Sequence, residues 1–343
     1  MDNSMIRVIV PCYNSDLTIE KCIASIFTSK GIDFEVYVID DGNNNSLEEL
    51  KNEYPIKVMR TSGVEGAGKA RNLGTQGFSG QVVVFIDSDV QIYEATIASL
   101  VKPIKEKLAD ATVGSYSKQR SLNFYDDYKS FYLANKYNTE GRYLRNTFWS
   151  AICSIDFKTY TIINGFKDCY SGAGPEDIDT GVELSLQGAR ILSVLEAKGK
   201  HLSSFNFSKL LKNDLRKGSE DVYIHLSRKV PITCNRHVAK ADITAVFLAW
   251  GLPLFFPLHR YIGFSPLLIC FILYIIARMK FIKSAFGGED LFFIFRSCLL
   301  SYFLDLIRGI AVIKGTSLFM IESLTSGKYR PFTKLPEINT LGR

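Results

Sequence analysis

The 343-residue sequence has no Cys-x-x-Cys pair, and its seven cysteines are scattered without histidines at metal-ligating spacing. That pattern argues against a structural zinc site and a disulfide framework, and the thiols read as reduced cytosolic residues. Glycine and proline are sparse, at 25 and 10 residues, with no collagen-like period, low-complexity stretch or internal repeat, so a fibre or a disordered chain is excluded. The stretch from Met1 to Pro11 lacks the basic start, long apolar core and small-residue cleavage site of a secretory signal, which predicts a cytoplasmic N-terminal part. What is abundant is apolar: 47% hydrophobic and 13% aromatic residues suit one large or two ordinary domains. The formal charge of +6 is uneven. From Lys198 to Lys240 ten lysines and arginines face three acids, a net of +7 that leaves −1 elsewhere. So local an excess points to an anionic membrane surface or a phosphate, and nucleic acid is not needed to explain it.

Over the first hundred residues short β-branched runs alternate with longer mixed segments, the pattern of βαβ units and a mostly parallel sheet. Strands are predicted at Met5–Val10, Phe34–Ile39, Ile56–Arg60 and Gln81–Ile86, the last apolar enough to be buried on both faces. Ser15 and Asp16 are predicted caps of a helix reaching about Ser29. Each strand runs into a polar cluster: Pro11-Cys12-Tyr13-Asn14, Asp40-Asp41-Gly42, a turn through Gly63, Gly66 and Gly68, and Asp87-Ser88-Asp89. In open α/β sheets ligands bind along that edge. Further on, a strand pair is expected around Trp149–Ile155, with Trp149 a candidate for an acceptor pocket or for the core. A helix opening near Asp177 would stop at Gly188, and Asp177 suits its N-cap.

Ile243–Leu258 and Ile262–Ala277 are apolar runs separated by His259, Arg260 and Tyr261. Each is shorter than the roughly 20 residues that span a bilayer comfortably. Apolar residues on all helix faces and basic flanks (Arg228, Lys229, Arg236 and Lys240 before, Arg278, Lys280 and Lys283 after) predict a membrane hairpin with both ends cytoplasmic. A third run, Leu291–Ile313, carries Arg296, Asp305 and Arg308, and is expected to be interfacial, re-entrant or packed on the hairpin.

Asp87-x-Asp89 after a buried strand suits one hard cation, Mg²⁺ or Mn²⁺, shared with phosphate oxygens. Ile9-Val10-Pro11-Cys12-Tyr13-Asn14, Ile39-Asp40-Asp41-Gly42, Gly68-Lys69-Ala70-Arg71-Asn72-Leu73-Gly74, Phe85-Ile86-Asp87-Ser88-Asp89, Gly165-Phe166 and Pro175-Glu176-Asp177-Ile178-Asp179 stand in one order. Over roughly residues 5–220 that set resembles the family 2 glycosyltransferases, and the chain looks like their membrane-anchored members.

The resemblance implies an α/β fold of the GT-A type, with a mostly parallel sheet followed by C-terminal membrane helices. It implies a cytosolic catalytic domain over 1–225 (nucleotide half 1–115, acceptor half 116–225), a basic juxtamembrane segment over 226–242, membrane helices over 243–313 and a basic cytoplasmic tail over 314–343. The implied activity moves one sugar, with inversion, from a nucleotide-diphosphate sugar to a hydroxyl of a lipid-linked or glycolipid acceptor. Pro11, Tyr13 and Asp40 or Asp41 would surround the nucleobase, and Arg71 would orient the nucleotide-binding acids or contact the diphosphate. Asp87 and Asp89 would hold the cation, with His201 and Arg216 approaching the diphosphate. Asp177 or Glu176 would be the general base.

Asn213-Asp214-Leu215-Arg216-Lys217 keeps the arginine of the Q-x-x-R-W motif of processive members but lacks its tryptophan, which favours single-sugar transfer. Rival expectations are transfer to polyprenyl phosphate, a catalytically silent membrane partner, and a nucleotidyltransferase. The last would want a Gly-rich basic turn where Pro11–Ser15 stands.

Overall fold

The computed structural model describes residues 5–42, 46–137, 143–170, 174–230 and 240–325. Along the chain lie β1 (Ile6–Cys12), α1 (Ile19–Phe27), β2 (Glu35–Asp40), α2 (Ser46–Glu53), β3 (Ile56–Arg60), α3 (Ala67–Gly74), β4 (Val82–Ile86), β5 (Val90–Ile92) and α4 (Thr96–Lys105). They continue with β6 (Ala111–Tyr116), α5 (Phe124–Tyr137), β7 (Tyr143–Leu144), β8 (Ile152–Asp156), α6 (Phe157–Ile162), α7 (Glu176–Leu186) and β9 (Ile191–His201). The C-terminal helices are α8 (Phe207–Ser227), α9 (Lys240–Phe255), α10 (His259–Ile262), α11 (Ser265–Phe286) and α12 (Leu291–Leu324). Contacts divide the chain into two compact units. The first contains residues 5–116 and 143–203, and the second residues 117–137 and 204–323. The division groups α5 and α8 with the C-terminal helices, whereas the sequence pattern assigned both to the catalytic half.

The first unit is an α/β layer structure on one mixed sheet, ordered β3-β2-β1-β4-β8-β6-β9-β5, with β7 on β9. Its nucleotide half, β3-β2-β1-β4, is wholly parallel. Antiparallel pairing enters where β8 meets β4 and β6. β1 and β4 are buried along their whole length, as their unbroken apolar runs require of central strands covered on both faces. From β1 the chain crosses to β2 on one side, while β4 lies on the other, so the carboxyl ends of β1 and β4 flank the point where the order reverses. That crevice is where such sheets bind ligands.

Several local expectations change. The N-cap of α1 is Thr18, two or three residues beyond the expected Ser15 and Asp16: the helix begins at Ile19, and the Ser15 carbonyl accepts the Thr18 and Ile19 N–H groups. The strand pair expected at 149–155 is the single strand β8, and Trp149 is core, its buried indole N–H donating to the Gly114 carbonyl at 2.8 Å. The helix carrying Glu176 and Asp177 is N-capped by Pro175, so Asp177 sits inside its first turn.

In the second unit, two helical stretches, Ala241–Tyr261 and Ser265–Phe286, are long and apolar enough to cross a membrane. They outrun the apolar sequence runs because Arg278 does not end the helix. It is buried and donates to Asp305 of α12 and Asp242 of α9, so its charge is neutralised inside the unit. The charges of the third run are resolved in the same way. Arg308 bridges Asp305 and Asp214, and Arg296 lies 3.9 Å over the Phe124 ring. Gly309 lets α12 approach α9, since a Cβ there would meet the Trp250 indole, which donates to the Leu306 carbonyl at 3.1 Å. The expected basic residue Arg236 and the tail beyond 325 lie outside the described residues.

Candidate active site

The loops after β1, β2 and β4, together with the start of α7, collect the first unit's acids at the carboxyl edge. At their centre is Arg71 of α3, whose side chain is 3% exposed. Its Nη2 donates to Asp87 Oδ1 at 2.7 Å and its Nη1 to Glu176 Oε1 at 3.1 Å, and the guanidinium lies 5.1 Å from the Phe166 ring centre. A fork-shaped donor array can hold two carboxylates from different elements, which an ammonium cannot do with the same geometry. Burial works against the charge of Arg71, but Asp87 and Glu176 outweigh it and hold its pKa above the ordinary value. For Asp87, burial pushes the carboxyl above the usual range, Arg71 pulls it down, and Asp89 and Asp177 push it up again.

The rest of the edge is tied down by short polar contacts. Ser15 and Ser88 share a 2.6 Å hydroxyl contact that joins the loops after β1 and β4. Cys22 of α1 lends its thiol to the Asp87 carbonyl. Asp89 accepts a 2.6 Å hydrogen bond from Ser203 Oγ, and His201, the last residue of β9, has its Nε2 at 3.5 Å from Asp89 Oδ2. Asp177 is half-buried while Glu176 and Asp179 are buried. One oxygen of Asp177 accepts the Ile178 N–H, and Asp179 accepts the Tyr170 hydroxyl at 2.9 Å.

Asp40 and Asp41 differ in their surroundings. Asp41 accepts the Thr61 hydroxyl and the Glu65 N–H on one oxygen and the Gly66 N–H on the other, so it holds the loop that leads into α3. Asp40 accepts the Gly42 N–H and faces Arg60 at 3.3 Å. Pro11 is buried within β1, but Tyr13 is half exposed and its ring lies on Gly42, where a Cβ would come within 2.6 Å of it. Arg216 belongs to the second unit and pairs with Glu220 one turn along α8, at 3.0 Å.

The donor set suits a hard divalent cation only as a partial shell. Asp87 senses the like charges of Asp89 and Asp177 against the one buried cation Arg71, a local excess of negative charge. Among the described residues no group of three or more His, Cys, Asp or Glu side chains gathers closely enough to hold a metal alone. One or two carboxylates completed by phosphate oxygens is the ordinary arrangement for Mg²⁺, and Asp87 and Asp89, with His201 beside them, match it.

Sequence patterns did not single out two positioning residues. Asn72 fixes Gly165-Phe166, donating to the Phe166 carbonyl at 2.8 Å and accepting its N–H at 2.9 Å, which holds the ring against Arg71. The positive φ of Gly165 and the adjacent aromatic hint at such a pinned turn. Ser203 had no signal at all, because it meets Asp89 only through the pairing of β5 with β9.

Comparison with known proteins identifies the domain that carries these residues. Residues 7–161 match the domain described as glycosyl transferase family 2. Those residues form a domain of that family. It holds β1 to β8 and with them Arg71, Asp87 and Asp89. The glycosyltransferase GlyA of Streptococcus pneumoniae is 36% identical over 115 residues, 32% of this chain and 16% of that protein. The dolichol-phosphate mannosyltransferase of Pyrococcus furiosus is 28% identical over 204 residues, 57% of this chain and 53% of that one. The chain spans about half or less of the length of the curated relatives it matches. Among solved structures, the mannosyltransferase PcManGT of Pyrobaculum calidifontis, in complex with GDP-Man and Mn²⁺, superposes with a TM-score of 0.56 at 16% identity, covering 92% of this chain and 86% of that one. The likeness is one of fold.

Proposed function

We propose that this chain is an inverting glycosyltransferase that moves one sugar from a nucleoside-diphosphate sugar to a hydroxyl of a membrane-associated, lipid-linked saccharide in cell-surface glycan assembly. The observation that carries the reading is the difference within the Glu176-Asp177 pair. Glu176 is buried on Arg71, whereas Asp177 stays half-buried and within reach of an acceptor. Asp177 takes the proton from the acceptor hydroxyl as its oxygen attacks the anomeric carbon. The bond from that carbon to the diphosphate breaks on the opposite face, and the configuration inverts. Pro11, Tyr13 and Asp40 surround the nucleobase, and Asp41 keeps their neighbouring loop in shape. Asp87 and Asp89, with His201, would hold Mg²⁺ or Mn²⁺ against the diphosphate, where the cation supplies positive charge to the leaving group. Arg71 acts as a positioning residue for Asp87 and Glu176. The helices of 241–261 and 265–286 anchor the chain, with the family 2 domain on the cytoplasmic side.

Transfer to polyprenyl phosphate is a second reading, favoured by the partial likeness to the dolichol-phosphate mannosyltransferase. Such an acceptor is already anionic near neutral pH and needs no base. The deciding experiment incubates the detergent-solubilised protein with Mn²⁺ and a panel of UDP-, GDP- and dTDP-sugars, with and without lipid acceptors, and reads nucleoside diphosphate release. Asp177→Asn is expected to keep donor affinity and to stop transfer to a hydroxyl acceptor. Full transfer by that variant supports the phosphate acceptor or Glu176 as base. No release from any sugar nucleotide leaves the catalytically silent partner as the explanation.

A further inference from the structure

In the helical unit one buried cation, Lys129, lacks a counter-ion at hydrogen-bond distance among the described residues. Arg278 is matched by Asp305 and Asp242, and Arg308 divides its two Nη groups between Asp305 and Asp214. Lys129 of α5 is left with little. The Lys129 ammonium is nine-tenths buried and donates no hydrogen bond among the described residues, its nearest carboxylate oxygen being Asp214 Oδ1 at 3.9 Å, already bridged by Arg308 through the other oxygen. Lys136 forms no ion pair among the described residues; burial works against its charge, but Tyr132, Tyr137 and Asp221 outweigh it and hold its pKa above the ordinary value. Among these four cations (Lys129, Lys136, Arg278, Arg308) and the four carboxylates near them (Asp214, Asp221, Asp242, Asp305), only Arg278 and Arg308 hold an acid within hydrogen-bond distance.

Three of these cations surround one ring. Lys129 Nζ lies 5.3 Å from the Tyr132 ring centre, Lys136 Nζ 5.8 Å and the Arg308 guanidinium carbon 5.3 Å. Cation–π attraction is too weak to replace a counter-ion for a buried ammonium. Burial pulls Lys129 down to about 8, Asp214 resists, and the like charges of Lys136, Arg308 and Lys217 add to the fall, as expected of a lysine short of negative charge. The niche is closed at Lys129 and partly open at Lys136 and Tyr132. Phe281 of α11 packs edge-on against the Tyr132 ring at 5.8 Å, on a helix whose outward residues Leu273, Ile276 and Met279 are exposed. Cations converging beside an uncovered apolar helix suit an anion that carries an apolar chain.

We propose that Lys129, Lys136 and Arg308 around Tyr132 form a binding site for the phosphate group of a membrane-borne lipid. The oxygens of that phosphate accept from the two ammonium groups and from the Arg308 Nε–H, which has no partner among the described residues, and the chain of the lipid lies along α11. The site rests on the reading of the acceptor as lipid-borne, but its test does not use sugar transfer.

The test uses the full chain in detergent micelles, with farnesyl phosphate, inorganic phosphate and a short-chain phosphatidylcholine as probes, read by calorimetric titration and by the shift in Tm. Farnesyl phosphate is expected to bind and raise Tm, and phosphatidylcholine to do neither. Lys136→Gln and Lys129→Met should each weaken farnesyl phosphate about tenfold, and Lys136→Arg should restore it. Lys129→Met should also melt no lower than the parent without ligand, since a buried charge with only a long contact to Asp214 has been removed, so lost binding there is not lost folding. Inorganic phosphate binding as tightly as farnesyl phosphate supports the site with a soluble anion as its source, and much weaker binding assigns a lipid. Unchanged farnesyl phosphate affinity in both lysine variants, or equal binding of phosphatidylcholine, overturns the proposal and leaves bridging water as the occupant of the niche. Sugar nucleotide turnover without farnesyl phosphate binding would remove the site and leave the enzyme reading standing.

Discussion

Arg71 and Glu176, 105 residues apart in the chain, meet at 3.1 Å through a guanidinium that also holds Asp87 at 2.7 Å. One side chain of α3 thereby sets the distance between the turn after β4 and the start of α7. Removing it leaves the buried Glu176 and the partly exposed Asp87 without their shared cation. Arg71→Met is expected to lower stability by about 3 kcal/mol, because an ion cluster broken on one side keeps an uncompensated charge. Arg71→Lys should recover only part of that, since an ammonium lacks the planar fork. Urea unfolding of the three proteins at pH 7 checks the ranking.

Asp87 has a pKa raised by burial, so its folded form keeps a proton that the unfolded chain has already released. Stability then falls as pH rises from the ordinary carboxylate range through the raised folded value. Against Asp87→Asn, which does not titrate, the parent protein should lose ground over that window. Paired urea titrations from pH 4 to pH 7 measure the difference, and a parent that gains on the variant as pH rises would contradict the assignment.

Glycines 42 and 74 are expected to separate binding from folding. An added Cβ at Gly42 meets the half-exposed Tyr13 ring at 2.6 Å, and the ring can swing away. At Gly74 the same atom meets Ile9 Cγ2 at 2.6 Å inside the core, where nothing can yield. Gly42→Ala should weaken sugar nucleotide binding severalfold with Tm nearly unchanged. Gly74→Ala should cost about 1–3 kcal/mol as overpacking.

Asp41→Ala removes the acceptor of two backbone N–H groups, from Glu65 and Gly66, and of the Thr61 hydroxyl. The expected loss is about 2–3 kcal/mol, with the largest gain in amide exchange confined to residues 61–66. Thr61→Ala deletes one donor only and should lose less. Hydrogen exchange resolved by peptide distinguishes a local loosening from a global one.

Much of the first unit was legible because its strands are short, apolar and closed by polar clusters. β3 occupies the residues its pattern predicts, and Asp87-x-Asp89 follows a fully buried β4 as expected. Side-chain partners set by long-range pairing were not legible. The Ser15 hydroxyl meets Ser88, 73 residues away, a partner that local spacing does not point to. Asp41 binds a loop that sequence spacing presents only as a glycine-rich turn. The helices of the second unit were predicted too short because Arg278 looked like a terminus, and its partner Asp305 lies 27 residues further on. A charge marks the end of an apolar helix only when nothing within the fold neutralises it.

The thiol of Cys22, placed against the Asp87 carbonyl, turns the carboxyl edge of the sheet into a clock. Cys12 and Cys22 are buried there and both thiols are pushed up, Cys12 to about 12, chiefly by burial, so alkylating reagents meet almost no thiolate in the closed fold. Cys169 is exposed and reacts in any state. The slow labelling of Cys22, timed against the fast labelling of Cys169, therefore counts how often the turn bearing Asp87 comes away from α1, and a ligand that settles on that turn makes the clock run slower.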